Sequence, residues 1–154
     1  MERTLMVLKP DAVQRRLIGR MIDRLERKGL KIVALRMLRM DESLARNMYA
    51  EHEGRDFYEP LVAFVTAGPV VAMVAAGYDA IAMVRSLIGP TFGPDAPAGT
   101  IRGDFGASRR YNLIHASDSP ASAEREIALL FRENELLDYD LLDDPWVYAA
   151  VDRE

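Results

Sequence analysis

The sequence predicts an α+β domain in a split β-α-β layout, with helices covering one face of a mostly antiparallel sheet. Three observations predict it. Four short stretches carry strand-like apolar patterning, helical spacing between them yields the order β-α-β-α-β-α-β-α, and a long Gly- and Pro-rich segment precedes the last strand. A small doubly wound sheet satisfies the same order, but a structureless loop of that length counts against it.

Residues 4–9 form the first strand, ended by Pro10, after which Asp11 caps a short helical turn. Ile18, Met21, Ile22 and Leu25 then recur at helical spacing up to Gly29, a stop signal. Residues 30–40 alternate as a long second strand, with Leu30, Ile32, Ala34, Leu38 and Met40 on one face and Arg36 as the exception. Residues 42–66 read as a helix in two pieces broken near Gly54. Gly68-Pro69 opens an apolar strand over 70–76, and 79–87 is helical again. Residues 89–106 hold five Gly and three Pro, too many for a regular element. An irregular loop that long is usually functional. The fourth strand spans 111–116, and Ser119 with Pro120 starts a helix that runs to about Phe131.

At 154 residues and 49% hydrophobic, the chain suits one domain over 1–154, with no repeat or linker. Its net charge of −4 gives no support to dedicated nucleic-acid binding. The absence of cysteine excludes disulfides, thiolate metal sites and cysteine nucleophiles. The first apolar run, at 5–8, is too short for a signal peptide, and the longest, at 70–76, is far below the roughly 20 residues of a membrane span. A cytoplasmic protein without a membrane segment is expected.

His115 ends the fourth strand and meets small polar residues, Ser117 and Asp118. On the next helix Glu126 shares the apolar stripe of Ala123, Ile127, Leu130 and Phe131. A carboxylate aimed at a core needs a partner to offset its desolvation, and the turn between strand and helix offers His115. The carboxylate would fix the tautomer and leave the other ring nitrogen as a nucleophile that needs no separate base. Ser117 lacks the G-x-S-x-G setting of a hydrolase nucleophile, and His52-Glu53 has no second histidine at metal-binding spacing, which leaves His52 as an exposed helix residue. Neither a P-loop nor a Rossmann glycine pattern occurs, so phosphate would be held by side chains. Lys9, Arg85, Arg102 and Thr91 have the charge and hydroxyl for polyphosphate oxygens.

These residues lie in motifs that resemble the nucleoside diphosphate kinases. The resemblance rests on "NLIHASDS" around His115, "LKPDAVQR" at 8–15, "GPVVAMV" at 68–74, "PAGTIRGDF" at 97–105 and "SAEREIALLF" at 122–131. They follow the family's order and spacing and cover the chain from Glu2 to about Tyr148. The resemblance implies a ferredoxin-like βαββαβ core with a four-stranded antiparallel sheet. It also implies ping-pong transfer of a γ-phosphate from a nucleoside triphosphate to a diphosphate, with broad base and sugar specificity. His115 is then the phosphorylated nucleophile, attacking through Nδ1, with Glu126 and Ser117 supporting it and Tyr49 near the γ-phosphate. Lys9 reaches sugar and phosphate, Asn112 the sugar, Arg85, Thr91 and Arg102 the phosphates, and Phe57 the base. Asp118 is the acidic member of the active-site turn. Mg²⁺ arrives with the nucleotide phosphates, with no metal site of the protein's own.

Relatives in this family associate, which implies a homo-oligomer, a hexamer before a tetramer, with trimer contacts in the Gly/Pro-rich loop. The acidic tail from about 135 to 154, with Leu136, Leu137, Leu141, Leu142 and Trp146, is expected to pack on its own domain and on a neighbouring subunit. Departures from the family's commoner wording fall at Arg16, Tyr58, Tyr111 and "GPTFGPDAPAG", none of them a position read as catalytic. The rivals are a nucleotide-binding or regulatory module of the same fold without turnover, weak salt-sensitive nucleic-acid binding, and a phosphohistidine relay to proteins.

Overall fold

The structure is a computed structural model that describes residues 1–153. Glu154, the last residue of the expected tail, lies outside them. Strand β1 (Glu2–Leu8) leads through helices α1 (Pro10–Gln14) and α2 (Ile18–Arg27) to β2 (Lys31–Leu38). Helices α3 (Glu42–Met48) and α4 (Tyr58–Thr66) precede β3 (Val70–Gly77). Then come α5 (Ala80–Ile88), α6 (Ile101–Phe105), β4 (Ile114–Ala116), α7 (Pro120–Leu130) and a terminal turn, α8 (Asp144–Val147). The strands lie in the order β2-β3-β1-β4, every pair antiparallel. Each β-α-β unit is thus split by a strand of the other, which is the ferredoxin-like topology.

Helices cover both faces of this sheet, not one. Leu5 and Val7 of β1 pack with α3, α4 and α7, whereas Met6 and Leu8 pack with α1, α2, α5 and α6. The continuous apolar run of β3 follows from this, since all of its residues are buried.

The second strand departs from the expected single apolar face. A bulge between Ile32 and Ala34 shifts the register, so Leu30 and Ile32 face the α2 side while Ala34, Leu38 and Met40 face the α7 side. An inserted residue inverts everything beyond it. Arg36 then reaches the α7 side, donates from Nη2 to Leu130 O at 2.6 Å and lies over the Phe131 ring.

Asp11 does not cap α1; its carboxylate accepts instead from Leu113 N at 3.1 Å. The fourth strand begins at Ile114, three residues later than expected, because Leu113 has φ 72°. Residues 89–106 also hold more regular structure than their composition suggests, a 3-10 turn (Gly93–Asp95) and the helix α6. Thr100 caps α6 by accepting from Gly103 N at 2.9 Å and donates to Pro97 O at 2.7 Å. A Cβ on Gly103 would lie 1.8 Å from Pro97 O, so this glycine marks a close backbone approach.

Replacing Gly103 with Ala should therefore destabilise the protein at the upper end of the roughly 1–3 kcal/mol typical of overpacking. Gly19→Ala in α2, where the added methyl meets nothing within 4 Å, should be neutral or stabilising by up to about 1 kcal/mol. Denaturant melts of the two variants check this; equal midpoints would show that the loop accommodates a methyl.

Candidate active site

Val7 pairs with His115 across β1 and β4, and residues directly opposite share a face of the sheet. Val7 faces α7, so His115 does too. Ser119 accepts from Ser122 N at 3.2 Å and Pro120 fills the first turn, which sends α7 back over the sheet directly after β4. Glu126 thereby arrives beside the imidazole.

The Glu126 side chain is 2% exposed, and its Oε2 lies 2.9 Å from His115 Nε2. Ser117 Oγ donates to the same oxygen at 2.6 Å, and Arg125 Nη2 stands 3.6 Å from Oε1. Burial alone would push the Glu126 carboxyl up. The hydrogen bond and charge of His115, then Ser117 and Arg125, outweigh burial and hold it below the usual glutamate range. An ionised carboxylate only accepts, so Nε2 carries a hydrogen, and an imidazole with that single ring proton has its lone pair on Nδ1. No described residue hydrogen-bonds to Nδ1.

His115 lines an open cleft of about 950 Å³ that also takes in Lys9, Tyr49, Phe57, Arg85, Thr91, Arg102, Asn112, Asp118 and Glu126. Every site residue read from the sequence is therefore gathered here, with Ser117 one hydrogen bond behind Glu126. The Tyr49 ring meets the imidazole edge-on, with centroids 5.5 Å apart. Its buried hydroxyl has no partner, and burial keeps it protonated by raising its pKa.

The inner end of the cleft is cationic. Lys9 Nζ donates to Asn112 Oδ1 at 2.7 Å, and Asn112 Nδ2 donates to Thr91 O at 3.0 Å. Burial first, and the neighbouring Arg102 second, bring Lys9 down to about 8, with Asp11 opposing them. Arg102 donates to three backbone carbonyls, those of Asn112 (3.1 Å), Gly89 (3.0 Å) and Ile114 (2.6 Å). Burial and the nearby Arg85 lower it to about 10. Five donors less three leave two N–H groups. Arg85, in the last turn of α5, is exposed and has no hydrogen bond or ion pair among the described residues. Cations held this close repel one another, an arrangement that favours an anionic ligand. Asp118, exposed in the cleft, accepts from Ser122 Oγ at 2.7 Å, which holds its carboxyl low.

The outer end is aromatic, and part of it escapes the sequence reading. His52 is not a plain exposed helix residue: it sits in a 3-10 turn (Ala50–His52), lines the cleft, stacks on Tyr49 (6.4 Å) and meets Phe57 edge-on (5.1 Å). The three-residue spacing from Tyr49 is the signal that could have found it. Tyr111, one of the family departures, stacks on Phe64 at 4.6 Å, while Arg109 pairs with Asp95 at 2.9 Å and lies over Phe92. Among the described residues no group of three or more His, Asp or Glu is gathered as for a metal ion, and no helix is long and apolar enough to cross a membrane.

The family model for nucleoside diphosphate kinase matches residues 2–136. The chain is 53% identical over 148 residues to a nucleoside diphosphate kinase of Archaeoglobus fulgidus, covering 96% of this chain and 98% of that one. Its identity to one from Kosmotoga olearia is 54% over 142 residues, 92% and 97% of the two chains. Among solved structures, a halophilic nucleoside diphosphate kinase from Halobacterium salinarum in complex with CDP superposes with a TM-score of 0.94 at 52% identity, covering 96% and 98%. With the fold, the cleft and near-complete coverage in agreement, the chain belongs to the nucleoside diphosphate kinase family and is a phosphotransferase acting on nucleotides.

Proposed function

We propose that His115 carries the phosphate between two nucleotides in a ping-pong exchange. The observation that carries this reading is the 2.9 Å contact of Nε2 with Glu126, which leaves Nδ1 as the free nucleophile. The Nδ1 lone pair attacks the γ-phosphorus of a nucleoside triphosphate, a P–N bond forms, and the bond to the β-phosphate oxygen breaks with its electron pair on the departing diphosphate. The ring keeps its Nε2 proton and gains positive charge, which Glu126 stabilises. An acceptor diphosphate then attacks the phosphorus, and the electrons return to Nδ1. Ser117 holds Glu126 in place throughout.

Arg85, the two remaining N–H groups of Arg102, Lys9 and the Thr91 hydroxyl suit the phosphate oxygens. The orphaned Tyr49 hydroxyl suits the γ-phosphate, which would supply its missing acceptor. Lys9 and Asn112 are assigned to the sugar. Phe57, half exposed, offers a stacking face with no hydrogen-bond readout, which supports broad base specificity. Mg²⁺ is assigned to the incoming nucleotide with no ligand from the protein, and it would supply neutralisation of phosphate charge, while Asp118 stays the acidic member of the active-site turn. The chain is assigned one catalytic domain over 1–154, a cytoplasmic location and a hexameric assembly. Leu142 (97% exposed) and Trp146 (91%) on the tail support association, as apolar surface in need of cover.

Incubation with γ-labelled ATP should label the protein through an acid-labile, base-stable bond, and His115→Ala should abolish both label and exchange. Glu126→Ala should fold yet turn over about 10–100-fold more slowly, the order seen when a carboxylate that orients a functional imidazole is removed. Label persisting without His115 would overturn the assignment of the nucleophile.

The pH profile of kcat/KM reports the free enzyme. Lys9 is charged below its pKa of about 8 and neutral above, so kcat/KM should fall as pH rises through about 8. Lys9→Met should be slow and lack this limb; a limb that survives belongs to another group. Light scattering at micromolar concentration should give six copies, whereas four would correct the assembly and one would remove it.

A further inference from the structure

We infer that Asp11 is a positioning residue for phosphoryl transfer, acting through a strained turn at Leu113 that sets Asn112 and His115 in the cleft. Leu113 has φ 72°, and Ile114 N donates to Asn112 O at 2.8 Å, two residues back. This is a γ-turn of the rare positive-φ kind, a strained conformation for a leucine. Leucine has no intrinsic reason to adopt it, and its patterning predicts a strand that simply continues through 111–116.

The surroundings hold the turn from every side. Leu113 O accepts from Lys9 N at 2.8 Å, and Arg102 donates to the carbonyls on either side, Asn112 O and Ile114 O. The remaining group, Leu113 N–H, belongs to a fully buried residue, and among the described residues its partner is Asp11 Oδ2 at 3.1 Å. Without that acceptor the amide would be buried and unpaired, and a plain extended strand would turn the side chain of Asn112 away from Lys9. The fold keeps Asp11 at some cost, since its Oδ1 is buried without a partner and burial raises its pKa. A negative charge near Lys9 is the competing account of why it is kept.

Substitution separates the two accounts. Asn keeps an acceptor without the charge, Glu keeps the charge but displaces the oxygen by a methylene, and Ala removes both. In the full-length enzyme, Asp11→Ala should raise the nucleotide KM about tenfold with a smaller loss in kcat, the order expected for one buried hydrogen bond, while Asp11→Asn stays within about threefold of the parent. Amide hydrogen exchange at Leu113 should be slow in the parent and in Asp11→Asn and fast in Asp11→Ala. An Asn variant as impaired as the Ala variant would overturn the inference in favour of charge, as would an Ala variant with unchanged exchange and KM. Should Asp11→Ala fail to fold, Asn and Glu decide: Asn protected and active with Glu unprotected supports the turn, and the reverse overturns it. The inference rests on assigning Lys9 and Asn112 to the nucleotide, and exchange at Leu113 reads the turn without that assignment. Lost protection with an unchanged KM would therefore place the failure in that assignment and remove the positioning role with it.

Discussion

A carboxylate removed from water at the base of the cleft is the constraint on which the site depends. Glu126 stays ionised there chiefly because two donors, the His115 imidazole and the Ser117 hydroxyl, converge on one of its oxygens, with Arg125 adding charge beside the other. The same contact fixes which imidazole nitrogen is bare. Much of the fold can be traced from it. The pairing of Val7 with His115 decides which face the ring takes, and the start of α7 at Pro120 decides where Glu126 lies around its helix. One residue of slip in the strand would turn the ring to the opposite face, and one residue in the helix would rotate the carboxylate by about 100°.

The cationic end imposes a second cost. Beyond burial, Arg102 lowers the readiness of Lys9 to be charged, and Arg85 does the same to Arg102. What keeps Arg102 in place is its grip on three carbonyls from two separate segments. It braces the loop at Gly89 and the turn before β4 while still offering charge to the cleft. A polyanion would relieve the repulsion, so ligand binding and the stability of this region are coupled.

The sequence carried the elements whose signals are local. Ser119-Pro120 marks the start of α7, Gly29 the end of α2, and Glu126 on an apolar stripe points to a buried partner. What was not legible depends on contacts distant in sequence. The bulge in β2 is set by packing on both faces of the sheet, so alternation alone gave one face where there are two. Leu113 enters positive φ because Asp11, 102 residues earlier, accepts its amide. The glycines of 89–106 suggested disorder of shape, yet Gly103 and Gly89 are there to let backbone and Thr100 approach closely around α6. His52 was misread because its role comes from Tyr49 and Phe57 on either side of it.

The two ends of the cleft differ in how firmly they are wired. At the cationic end several side chains are tied down, Lys9 to Asn112, Asn112 to Thr91 and Arg102 to three carbonyls, so displacing any of these breaks a hydrogen bond. At the outer end the contacts are ring on ring, Phe57 on His52 and Tyr111 on Phe64, and each ring keeps exposed surface. Such ring contacts tolerate sliding at little cost, whereas hydrogen-bonded cradles do not. A ligand spanning the cleft would thus meet fixed positions at the cationic end and adjustable surface at the aromatic end.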